Sequence, residues 1–333
     1  VTLVDVVAVL LFVGVLAYAL FGGADFGGGF WDLLAGDARR GAALRAQVDR
    51  SIGPVWEANH VWLIYVLVFL WSGFPTAVAP IMEALWIPWM LAGLGIVLRG
   101  AGFAFRKYSG TLAQARLFGA VFASSSVLTP FCFGMIAGAV ASGRVDADGG
   151  DVWRSWTGLT SWIGGALAVL TCAFLAATFL AADAARAGRT ELAAWCRRRA
   201  LVSGVVTGAV ALTAVPVIEV DAPTLANRLE GRAAPLVVLS AVAGATTLWL
   251  LRRGRLGWAR LGAVVAVASI VAGWGVAQYP DLLVDQLTLD EAAGARSTLI
   301  GLVIVFALAA VTVVPALAWL FVLVNRSRRG LQH

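Results

Sequence analysis

Nine runs of apolar residues pattern this chain, at roughly 3–23, 55–71, 76–98, 117–141, 160–182, 200–217, 234–251, 260–279 and 298–324. Each approximates the ~17–25 residues that a bilayer-spanning helix needs. Polar residues gather between them into short connections, the longest at about 142–159, 183–199, 218–233 and 280–297. Lipid offers the backbone no hydrogen-bond partner, so a spanning segment must be a helix or part of a closed barrel. The runs lack the alternation of barrel strands. The pattern therefore predicts an all-α polytopic membrane protein with nine transmembrane helices. No connection holds enough apolar residues for a separate soluble core, so 1–333 reads as a single integral membrane domain. The first run lacks a basic leader and a small-residue cleavage pattern, and is expected to be a retained helix.

Composition agrees with that reading. Hydrophobic residues make up 60% and charged residues 13%, with mean hydropathy +0.87, against about 45–50% apolar and 25% charged in soluble domains. The distribution of charge adds orientation. Twenty of the 25 Lys and Arg fall in the odd-numbered connections and the C-terminal segment, and only Arg144, Arg154, Arg228, Arg232 and Arg296 fall on the alternate side, together with most of the acids. By the positive-inside rule the N-terminus lies outside and the C-terminus is cytoplasmic. The net charge of +6 is then topology and contact with anionic lipid, with no nucleic acid as partner.

Cys132 and Cys172 sit in apolar runs and Cys196 in a basic connection, without the spacing of a disulfide framework or metal site. GGADFGGG at 22–29 lacks the Lys-Ser/Thr of a phosphate loop and follows a membrane helix where such a loop follows a strand. Its glycines are expected to let the chain leave the first helix close against its neighbours, in conformations closed to residues with a Cβ. Gly134/Gly138 and Gly204/Gly208 have the spacing of close helix packing.

Ionisable groups in apolar runs are costly and mark candidate sites. GPVWEANHVWLI at 53–64 places Glu57, Asn59 and His60 at the mouth of the second run. Glu57 and His60 are i, i+3 neighbours on one helix face and both can exchange protons near neutrality. The competing reading pairs Glu57 with a loop arginine such as Arg50 or Arg99 and leaves His60 bonded to backbone. Asp25 follows the apolar core of the first helix, and either carries protons or caps and pairs the next connection. Glu83, about seven residues into the third run and ~10 Å deep, lies between Pro80 and Pro88, and either conducts protons or meets an arginine of another chain. Fourteen tryptophans mostly suit interfacial belts. Trp86 and Trp89, well inside the third run, are candidates for packing on a quinone or isoprenoid tail, with core packing as the alternative. Haem iron takes His, Met or Cys ligands. One internal histidine, beside Met82, Met90 and Met135, cannot hold a set of haems, and no metal site is expected in this chain.

GGADFGGGFWDLLAG (22–36), RSIGPVWEANHVWLI (50–64) and LRGAGFAFRKY (98–108), in that order and spacing, resemble the diagnostic N-terminal segments of subunit II of the cytochrome bd-type quinol oxidases. The resemblance is specific over residues 20 to about 108 and architectural beyond. It implies two four-helix bundles plus one peripheral helix, and a multi-pass subunit of a prokaryotic plasma membrane. The implied partner is a subunit I carrying haem b and haem d, the pair oxidising quinol at the outer side and reducing dioxygen to water. Subunit II would be a scaffold that lends residues to a cytoplasmic proton inlet. The resemblance leaves room for a structural quinone and for small single-helix accessory subunits. Glu57 takes the acid position of the more common GPVWDGN motif, and Trp56, Asn59, Asp25, Arg99 and Arg106 match motif positions, the arginines serving packing and subunit contact. His60 departs from that version and is similar to the subgroup described as cyanide-insensitive. The reading from a different class is a stand-alone proton-coupled transporter using Glu57 and Glu83.

Overall fold

The computed structural model describes residues 1–36, 41–52 and 56–330, without the side chains of 52, 56, 57, 107, 313, 314, 317, 318 and 320–330. Helix α1 (Leu3–Leu33) opens on a reciprocal cap, in which the Thr2 hydroxyl accepts from Asp5 N–H and the Asp5 carboxylate accepts from Thr2 N–H. It does not end at residue 23. GGADFGGG continues the helix, and none of its glycines has positive φ. The expectation that they release the chain is thus corrected, whereas their closeness to neighbouring helices holds. An amphipathic α2 (Ala42–Ile52), absent from the sequence reading, follows.

Helix α3 (Trp56–Gly73) leads into α4 (Pro75–Ala84), whose axis is bent by 117° from it. Pro75 opens α4 and Pro80 lies inside it. A proline lacks the N–H that would bond four residues back and crowds that carbonyl; Pro88 stands so to Ala84, and the run expected as one helix over 76–98 divides at Leu85. Helix α5 (Trp86–Lys107) completes it. Then come α6 (Leu112–Ala141), α7 (Leu159–Arg186), α8 (Thr190–Asp221), α9 (Pro223–Glu230), α10 (Ala234–Arg252) and α11 (Leu256–Gln278). Gly188 and Gly254, both with positive φ, turn α7 into α8 and α10 into α11 within a few residues. Cys196 therefore lies inside α8, buried, and not in a connection.

A small antiparallel hairpin, β1 (Asp281–Leu283) and β2 (Leu287–Thr288), departs from the all-α expectation. The short α12 (Leu289–Ala292) and the long α13 (Arg296–Gly330) end the described chain. Among the described residues seven helices are long and apolar enough to cross a membrane: α1, α5, α6, α7, α8, α10 and α11. The bent α3–α4 pair makes an eighth as one broken span, and α13 carries a shorter apolar stretch over Arg296–Thr312.

Packing fixes where these helices meet. α6 lies between α5 and α7, while α1 packs on α3, α6 and α7. α7 also meets α8 and α11, and α10 joins α8 to α11. One apolar core gathers around Trp31, Phe174, Leu180, Leu251 and Val267. A second, toward the other end, gathers around Val7, Phe69, Phe74, Leu85 and Leu283.

Polar contacts tie each end together. At the arginine-rich end Asp32 meets Arg45 and Arg106, Arg189 donates to Gln47, and Asp183 accepts from Ser51 and Arg260. At the opposite end Arg144 and Thr160 meet Asp221, Arg228 meets Asp281, and Gly294 N–H donates to the Gly73 carbonyl.

Candidate functional site

Two turns of helix separate residues seven apart, a rise of about 10.5 Å on one face. Asp25 and Asp32 have this spacing on α1, and Arg99 and Arg106 have it on α5. The structure pairs them rung by rung. Asp25 Oδ1 lies 2.6 Å from Arg99 Nη2, with side chains only 2% and 1% exposed. One heptad nearer the arginine-rich end, Asp32 accepts from Arg106 through Oδ2 and from Arg45 Nε through Oδ1, the latter at 2.6 Å.

The upper rung is enclosed on all sides. Arg99 Nε donates to Ser126 Oγ at 3.0 Å, and its guanidinium lies between the Phe26 and Phe122 rings, 4.9 and 5.0 Å from their centroids. A planar guanidinium suits this environment because its faces stack on aromatics while its edges donate. Asp25 Oδ2 and Thr129 Oγ1 are buried with no hydrogen-bond partner among the described residues. Buried polar oxygens of this kind are normally satisfied by protein or by internal water.

Glycine makes the enclosure possible. A Cβ on Gly27 would collide with the Cys172 carbonyl of α7, and one on Gly29 with the Ser126 side chain of α6. Residues 22–29 thus serve close approach of α1 to two helices while remaining helical.

His60, half-buried on α3, borders this cluster. Its Nδ1 is 3.5 Å from Tyr18 Oη, and its ring stands edge-on to Phe26 at 6.1 Å between centroids. Phe26 thereby contacts both His60 and Arg99. Asn59, buried beside it, donates to the Phe21 carbonyl at 3.4 Å. The side chain of Glu57 lies outside the described ones, and its backbone occupies the first turn of α3.

The other sequence candidates divide. Asp25 does not cap or pair the following connection, because α1 runs on past it, and it pairs across the helix bundle with Arg99. Glu83 is not deep in a spanning helix. It is exposed near the end of α4, beside Gly149, at the end of the bundle away from His60. Trp86 is 48% exposed on α5, whereas Trp89 turns inward against Phe133 at 5.8 Å. Gly208 has open space around it, so its spacing with Gly204 does not mark a packed seam there.

Tyr18, Asp32, Arg45, Asp49 and Ser126 were not singled out from sequence. The signal for part of them was the heptad repeat of Asp25/Asp32 and Arg99/Arg106. Asp49, on α2, accepts from Arg106 at 2.6 Å. Burial pushes its carboxyl above the ordinary value, and Arg106 opposes that rise.

Among the described residues no group of three or more His, Cys, Asp or Glu could hold a metal ion. His60 faces Tyr18, Met90 is exposed on α5 and Met135 is buried on α6.

The structure is similar to the bd oxidase of Geobacillus thermodenitrificans, with TM-score 0.75 and 22% sequence identity over 96% of this chain and 98% of that one. In sequence, 144 residues are 28% identical to cytochrome bd ubiquinol oxidase subunit 2 of Bacillus subtilis (strain 168), covering 43% of this chain and 41% of that relative. The match thus spans well under half of that relative's length. The family model for cytochrome bd terminal oxidase subunit II matches residues 3–324. With seven apolar helices of spanning length and this near-complete match, the chain is a multi-pass membrane protein and belongs to the cytochrome bd terminal oxidase subunit II family.

Proposed function

We propose that this chain acts as subunit II of a quinol-oxidising, dioxygen-reducing terminal oxidase. In this reading it scaffolds a haem-bearing subunit I and contributes a proton inlet at its arginine-rich end. The observation that carries it is the buried Asp25–Arg99 pair beside His60, in a chain of this family. Breaking or burying an ion pair inside apolar packing is costly, so its presence next to a titratable histidine fits a polar track better than plain packing does.

The chain's own part would be to hold and pass protons. Glu57, in the first turn of α3, collects them at the membrane face, and His60 lies one turn further along the same helix. Asp25 keeps one oxygen on Arg99 and the other without a partner among the described residues, an acceptor for water or a proton. Glu83, at the opposite end, belongs to this path less readily than to contact with another chain. Haem chemistry falls to the partner, since one internal histidine cannot ligate a set of haems. Trp86 is placed to meet a quinone tail or the partner, and Trp89 packs inside.

The remaining expectations belong to the same reading. They are nine spans, two four-helix bundles plus one peripheral helix, the N-terminus outside, and a prokaryotic plasma membrane. His60 is the residue that would place the chain in the cyanide-insensitive subgroup. A stand-alone transporter is disfavoured by the family match.

Glu57→Gln in the assembled complex tests the inlet. It should slow oxygen reduction about tenfold or more with haem content unchanged, as positioned acid–base groups carry roughly 10²–10⁴-fold. Turnover equal to the parent's between about pH 6 and pH 9 removes Glu57 from the path.

A further inference from the structure

At the arginine-rich end, well away from the Asp25–Arg99 cluster, the last turn of α7 and the first turn of α11 frame a cavity of about 370 Å³. Ala182, Ala185, Gly254 and Gly257 form small walls, and Arg186 and Arg260 are its charged lining. Both guanidiniums share a single carboxylate, Asp183, with Arg260 Nη1 at 3.1 Å. The other Asp183 oxygen accepts from Ser51, which leaves positive charge in excess. Arg197 stands behind the Gly254 turn, where a Cβ would lie 3.6 Å from its Nη1. Its Nε is buried without a partner among the described residues.

Backbone polarity points the same way. No side chain caps the N-terminus of α11, and its first-turn amides have no acceptor within the helix. The facing C-terminus of α7 is already satisfied: the Asp183, Ala184 and Ala185 carbonyls accept from Ala187, Arg189 and Gly188. The cavity is therefore rich in donors and poor in free acceptors, the chemistry of an anion site. Arg260 is also stacked on the Phe179 ring, 4.2 Å from its centroid, so that its donors, one of them already on Asp183, lie at the edge and not against the ring. Trp249 and Trp258 are exposed in the adjoining turns of α10 and α11, as in an interfacial aromatic belt.

We propose that this cavity binds the phosphate of an anionic phospholipid headgroup, held between Arg186, Arg260 and the first-turn amides of α11. The acyl chains run along the exposed apolar faces of the neighbouring helices.

The test uses the purified protein, with any subunits that accompany it, in nanodiscs of phosphatidylcholine doped with phosphatidylglycerol, and native mass spectrometry counts retained lipid. The parent should retain one phosphatidylglycerol per chain after transfer into pure phosphatidylcholine. Arg186→Ala/Arg260→Ala should weaken retention about tenfold or more, since each basic side chain near a membrane surface attracts anionic lipid by about 1 kcal/mol. Gly257→Leu should abolish retention with every charge intact. A Cβ there meets nothing within 4 Å, so the substitution adds bulk at the cavity's lining without disturbing the fold. It decides the matter even where the double arginine variant fails to assemble. Arg116→Ala, exposed near the start of α6, should retain lipid as the parent does. Retention by Gly257→Leu at the parent's level overturns the proposal in favour of diffuse surface attraction. Saturable binding of inorganic phosphate that displaces the lipid overturns it in favour of a free-phosphate site.

Discussion

Helices α6 and α7 bury 56% of their most apolar stretches inside the chain, whereas α8 and α10 bury only 11%. The two pairs are alike in apolarity over those stretches. In lipid, apolarity is the condition for spanning and says nothing about which helix is interior. What differs is the fine grain. On α6 Ser125, Ser126 and Thr129 are all buried, Ser126 against Arg99 and Thr129 against Gly95 of α5, and Gly134 and Gly138 lie on the backbone of α7. On α8 and α10, Gly208 and Gly244 face open space, and Val202, Val205, Leu212, Val238 and Val242 are exposed. The interior of this protein is thus marked by polar and small residues, and its apolar surface is left for lipid or another chain.

The largest effect should come from the interior charges. Asp25→Ala leaves Arg99 buried without its carboxylate and should destabilise by about 3–5 kcal/mol, the usual cost of breaking a buried pair from one side. Loss of assembled protein and a lower midpoint in mixed-detergent unfolding report it. Asp25→Leu/Arg99→Leu, which removes both charges, should recover much of the loss. If the double variant is as weak as the single one, pairing is not what holds these helices together.

A smaller effect should separate the glycines. Gly27→Ala drives a methyl into the Cys172 carbonyl and should cost about 1–3 kcal/mol as α1 and α7 part, in line with overpacking elsewhere. Gly208→Ala or Gly244→Ala has nothing to strike, and should change stability by less than about 1 kcal/mol, toward stabilisation, because alanine is the better helix former. Equal losses at Gly27 and Gly208 in the same unfolding assay would erase the distinction between the two regions.

The contrast also explains what could be read beforehand. Long apolar runs locate spans because backbone hydrogen bonding in lipid allows few alternatives, and eight of the nine runs coincide with a helix whose core they mark. Helix ends were less legible. GGADFGGG looks like a helix breaker by propensity, yet packing of α1 on α6 and α7 overrides propensity, and the helix runs ten residues further than expected. The third run divided at Leu85, where Pro88 denies Ala84 its helical partner in a stretch whose hydropathy does not register the proline. In the site, the acids of the first and second runs were legible as anomalies. The partner of Asp25, 74 residues away, was not, although the shared heptad spacing of Asp25/Asp32 and Arg99/Arg106 held the information. Nothing in the sequence distinguishes Trp86, turned outward, from Trp89, turned inward against Phe133.

The smallest effect belongs to the connections, where both regions end in water-facing contacts and the contrast between them should vanish. Asp151, in the 142–158 connection, accepts the N–H groups of Trp153 and Arg154, each at 2.8 Å. The Arg154 and Trp153 amides hold its carboxyl below the ordinary value. A depressed carboxylate pKa means that the unfolded chain binds the proton more tightly, so this contribution is fully present above the unfolded value near ~4 and fades as pH falls through the folded one. Asp151→Asn keeps an acceptor and loses the charge. It should loosen the connection slightly at neutral pH, seen as faster hydrogen exchange at the Trp153 and Arg154 amides, and the difference from the parent should shrink as the pH drops below ~4. A difference that stays constant, or grows, on acidification would assign the protection of those amides to packing by Trp153 and Trp156 and not to the Asp151 charge.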